Sequence, residues 1–69
     1  MHDKRQMTLS LTESEMKSLE QLAQRKNLTK TGVIRLALRL FQLVEERTAD
    51  GEKIFFETGD KQKTELALL

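Results

Sequence analysis

A chain of 69 residues with no cysteine and no proline is one domain at most, and too short to close a stable core by itself. The usual supports of so small a chain, disulfides and thiolate metal sites, are excluded by composition, which leaves a second copy of the chain. The net charge of +1 hides an asymmetry: residues 1–40 hold eight Lys and Arg against four Asp and Glu, a net +4, while residues 41–69 hold four against seven, a net −3. A polyanion therefore meets the first part of the chain, and a dimer doubles that basic face.

No apolar run approaches the roughly 20 residues of a membrane span, and the N-terminus lacks the apolar stretch of a signal peptide. The expectation is a soluble cytoplasmic protein that contacts no membrane, compatible with a reducing compartment.

Residues 1–4 read as a charged arm, and His2 has no second histidine or cysteine with which to share a metal. From Arg5 to Leu11 the period is two: Met7, Leu9 and Leu11 face one way, and Gln6, Thr8 and Ser10 the other. This predicts a half-buried strand.

"TESE" at 12–15 is a capping box, in which the Thr12 hydroxyl and the Glu15 carboxylate each accept from the other's backbone N–H. Leu11 and Met16 supply its hydrophobic staple. With Met16, Leu19, Leu22 and Ala23 at helical spacing, a narrow-striped amphipathic helix is predicted over roughly 13–26, ended by Asn27 in the left-handed conformation. Thr29 caps a second helix running to about Arg47, with Leu28 and Val33 as its staple pair. Arg35, Arg39, Gln42 and Glu46 form one polar stripe of that helix, and apolar side chains cover the rest. A helix apolar nearly all round is buried nearly all round, so it is expected to pack against its own copy.

Beyond Thr48, "ADGE" and "GDKQK" read as turns, "KIFFET" has strand propensity and "TELALL" is apolar again, a pattern that admits a hairpin. The expected division is a main domain over 1–47 and a tail over 48–69, either a β-hairpin or a partner-binding segment.

A lone strand leaves both backbone edges unpaired, and the helical sequence after it offers no second strand within reach of a tight turn. The partner strand must come from another copy. Two such strands paired antiparallel set Met7, Leu9 and Leu11 over the helices and present Gln6, Thr8 and Ser10 outward as a flat, uncharged, hydrogen-bonding face. A two-stranded ribbon fits the B-DNA major groove, about 12 Å wide. There Gln bonds an adenine edge, and Ser and Thr donate or accept. Lys4 and Arg5 flank that face as phosphate ligands. Thr29, Lys30 and Thr31, at the positive end of the second helix, form a further phosphate site.

The order of strand, capped helix, short turn with a Thr-Lys-Thr start and apolar second helix resembles the ribbon-helix-helix family of Arc, MetJ and CopG-type repressors. The likeness covers roughly residues 4–46 and rests on "MTLSLTESEMKSLEQLA" and "NLTKTGVIRLAL". It implies a mainly α fold: an intertwined homodimer with an intersubunit two-stranded antiparallel β-ribbon and four helices. It implies base reading by Gln6, Thr8 and Ser10, a phosphate clamp of Thr29, Lys30 and Thr31, and a dimer core that includes Met7, Leu9, Leu11, Ile34, Leu38 and Phe41. It also implies a bacterial or plasmid-encoded transcriptional repressor of double-stranded DNA, and in many members an antitoxin whose C-terminal tail binds a toxin. Asn27 stands where that family often has glycine, and no Arg or Lys lies among the base-facing positions, so discrimination rests on Gln6. No Ser-His-Asp set, Gly-rich phosphate loop or carboxylate pair can be assembled. Neither an enzyme, a cofactor nor a small-molecule substrate is therefore expected.

Overall fold

The structure, a computed structural model, describes residues 4–67. In chain order it holds α1 (Glu13–Lys26), α2 (Lys30–Ala49), β1 (Ile54–Glu57) and β2 (Lys63–Leu66). The chain divides into two compact units, Met1–Val33 and Ile34–Leu69, with the boundary inside α2.

In the first unit, α1 begins where its capping box places it. The Thr12 N–H donates to Glu15 Oε1 at 2.9 Å and the Glu15 N–H donates to Thr12 Oγ1 at 3.1 Å. At the far end Asn27 adopts φ 54°, and the Leu28 N–H donates back to the Ala23 carbonyl at 2.9 Å. That left-handed residue stops the helix as glycine would, because Asn tolerates the conformation.

The backbone N–H of Thr12, and then its hydroxyl, hold the Glu15 carboxyl below the usual glutamate range. A carboxyl whose pKa is lowered by folding stabilises the fold fully above its unfolded pKa. That contribution is lost as pH falls through the lowered folded value. Thr12→Ala should cost about 1 kcal/mol at neutral pH. Thermal melts down an acid series should show the wild type losing stability faster than Glu15→Gln, which has no carboxyl to protonate, whereas Thr12→Ala keeps the backbone N–H and with it most of the pH dependence.

The predicted strand over Arg5–Leu11 is not formed in the single chain: residues 4–12 carry no regular secondary structure. Met7 is 79% exposed and Leu9 48%. The reason is physical: a strand exists through its ladder, and no other segment of the chain pairs with this one. The fold of one chain is accordingly mixed helix and strand, and its two-stranded antiparallel sheet is made by the C-terminal segment.

In the second unit, α2 runs two residues past the expected Arg47. The Thr48 hydroxyl bonds the Val44 carbonyl at 2.8 Å, and Gly51 at φ 87° turns the chain back, with the Glu52 N–H donating to the Arg47 carbonyl at 3.1 Å. The Arg47 guanidinium also bonds the Glu52 carboxylate across this turn.

The hairpin follows in the register Ile54↔Leu66, Phe55↔Glu65, Phe56↔Thr64, Glu57↔Lys63. Its loop is organised by Thr58, whose N–H donates to the Gln62 carbonyl at 2.8 Å and whose Oγ1 accepts from the Gln62 N–H at 3.1 Å. The same hydroxyl bonds Asp60, holding that carboxyl below the usual aspartate range. Lys61 sits at φ 69°.

Among the described residues Ala23 is the one buried apolar side chain. Of the expected dimer core, Leu11 and Ile34 are half-buried, while Met7, Leu9, Leu38 and Phe41 are exposed. No helix among the described residues is long and apolar enough to cross a membrane.

Candidate nucleic-acid interface

The residues expected to meet a nucleic acid all fall in the first unit. Gln6, Thr8 and Ser10 lie on the extended segment before α1, exposed, with Lys4 and Arg5 exposed just ahead of them. No ladder holds that segment in a single chain, so its three polar side chains share a face only through the two-residue alternation of extended backbone.

The start of α2 is better defined. Thr29 caps it: its Oγ1 accepts from the Gly32 N–H at 2.9 Å and its carbonyl accepts from the Val33 N–H at 3.0 Å. The structure thus gathers Thr29, Lys30 and Thr31 on one exposed turn. Within the described residues the Lys30 and Thr31 N–H groups have no partner, as the first turn of a helix dictates. Free N–H groups at the positive end of a helix attract an anion.

Gly32 permits the close approach of this turn. A Cβ there would stand 3.2 Å from Thr29 Oγ1 and 3.5 Å from Leu28 Cβ.

Sequence reasoning missed one residue of this region. Glu20, on α1, places a carboxylate 3.4 Å from Lys30 Nζ. Both side chains are about half exposed, so the pair contributes no more than about 1 kcal/mol and is screened by salt. It offsets the repulsion between Lys30 and the helix dipole. No sequence signal marked it, because two residues ten positions apart on different helices follow no helical spacing.

His2 lies outside the described residues. Among those described, no three His, Cys, Asp or Glu side chains gather as a metal site requires. Comparison with known protein families, with curated proteins and with solved structures finds no match to this chain.

Proposed function

We propose that this chain is a homodimeric, sequence-specific DNA-binding transcriptional repressor of the ribbon-helix-helix kind. Two Arg5–Leu11 segments pair antiparallel, enter the major groove and present Gln6, Thr8 and Ser10 to base edges. Lys4, Arg5 and the Thr29–Thr31 turn of each copy grip phosphates on either side and fix the register. Repression follows from occupying the operator in a bacterial cytoplasm. It needs no cofactor, substrate or catalytic group.

The observation that carries this reading is the exposed apolar surface of α2. Leu36, Leu38, Leu40, Phe41 and Leu43 are each 50–61% exposed, on a helix where water is a poor neighbour for all of them.

A second reading is an antitoxin that represses its own operon and binds a toxin through residues 48–69. It is favoured by one observation, the exposure of Phe55 and Phe56 on the tail hairpin.

The direct test measures DNA affinity against salt concentration. Lys30→Ala should weaken binding to all duplexes alike and reduce the salt slope by about two, one phosphate contact per subunit. An unchanged slope would remove the clamp from the proposal.

A further inference from the structure

We propose that Glu20 is a brake on the phosphate contact of Lys30: its carboxylate offsets the lysine charge across the turn between α1 and α2, so that each subunit holds DNA more weakly than its cations alone would. The inference rests on the DNA reading above and adds to it a residue that sets affinity without touching a base.

The carboxylate has a choice of partners. Lys17 stands three residues before Glu20 on α1, a spacing at which side chains of one helix meet. Among the described residues Glu20 nevertheless pairs with Lys30, its Oε2 lying 3.4 Å from Nζ. Two effects favour that partner. A lysine ahead of a glutamate is the weaker order for a pair within one helix. Lys30, opposed by the dipole at the start of α2, gains from a carboxylate within reach.

Lys30 differs in this from the other cations assigned to the DNA backbone. Lys4 and Arg5 are exposed and make no ion pair among the described residues. Lys30 is the one charged residue of the Thr29–Thr31 turn, and Glu20 cancels it. Both partners belong to the first unit and both are about half exposed, so the pair is open to water and to competing ions. A phosphate that approaches this ammonium has either to displace the carboxylate or to share the lysine with it, and in both cases a like charge stands nearby. The effect carries no sequence information, because a phosphate contact is the same at every base pair. It therefore acts on operator and random duplex alike.

The test measures the affinity of the full chain for random duplex against salt concentration, for the wild type, Glu20→Gln and Glu13→Gln. Glu13 controls for net charge: it is exposed, makes no ion pair among the described residues, and stands about 10 Å from Glu20 along α1. An exposed pair of this kind is worth a factor of about two to three and enters twice in a dimer, so Glu20→Gln should bind about four- to ninefold more tightly than wild type at low salt. Glu13→Gln should change the affinity less than about twofold, and the gain from Glu20→Gln should fade as salt is raised. Helix content should stay at the wild-type value in both variants, since neither side chain is buried. Equal effects from the two positions would reduce the brake to net charge and overturn it. Unchanged or weaker binding by Glu20→Gln would overturn it too, the weaker result assigning Glu20 to positioning Lys30. A wild-type chain that binds no duplex at any salt defeats the DNA reading itself, and is recognisable before any variant is made.

Discussion

Leu38→Glu should abolish the folded protein. In the single chain Leu38 is 58% exposed, and a surface substitution of that kind ordinarily changes stability by about 0.5 kcal/mol or less. Under the dimer reading the same side chain is covered by the second copy, where an unpaired carboxylate has lost its water and found no partner. That penalty is several kcal/mol per copy, incurred twice, against a total stability of about 5–15 kcal/mol for a small protein. The two expectations differ in kind. Circular dichroism across protein concentrations decides between them: the dimer reading expects loss of helix at concentrations where the wild type is folded. A folded, helical monomer would refute obligate pairing.

Replacing Gln6, Thr8 and Ser10 together with alanine should erase operator discrimination and leave the protein's fold untouched. All three are exposed and none lies in a helix or strand of the single chain, so melting temperature and helix content are expected to stay at wild-type values. A good bidentate contact between a side chain and a base carries about 1–3 kcal/mol of discrimination. Gln6 acts twice in a dimer, so its loss alone represents about 2–6 kcal/mol, a fall of at least thirtyfold in the ratio of specific to non-specific binding. Competition between operator and random duplex at fixed salt measures that ratio. Retained discrimination would remove the groove from the mechanism. The same variant should keep its salt slope, since Lys4, Arg5 and Lys30 are intact, which separates base reading from phosphate contact.

How much could be read from residues alone depended on how locally each feature is determined. Both ends of α1 were legible, because Thr12, Glu15 and Asn27 act on backbone groups within one turn of themselves. The start of α2 was legible for the same reason. Its end was not, because the extension to Ala49 depends on the Thr48 hydroxyl back-bonding to Val44 and on the turn at Gly51. The hairpin was admitted by one strand-prone run and one apolar run on either side of a turn. Its register was hidden, since a lysine at positive φ is a poor guess from propensity and Thr58 organises the loop through bonds reaching four residues ahead. The alternation over Arg5–Leu11 is clear in the sequence and yields no strand in one chain, because pairing is a property of two segments and no other described segment pairs with this one. The proximity of Glu20 to Lys30 is tertiary and lay beyond any local pattern.

The scarcity of buried side chains in one chain has a cellular consequence. Among the described residues a single alanine side chain is hidden from water, so under the dimer reading stability comes from association and varies with the number of copies present. Under the dimer reading, dilute chains are open to proteolysis while abundant ones shelter each other. Occupancy of a regulatory site would then rise more steeply than gene dosage.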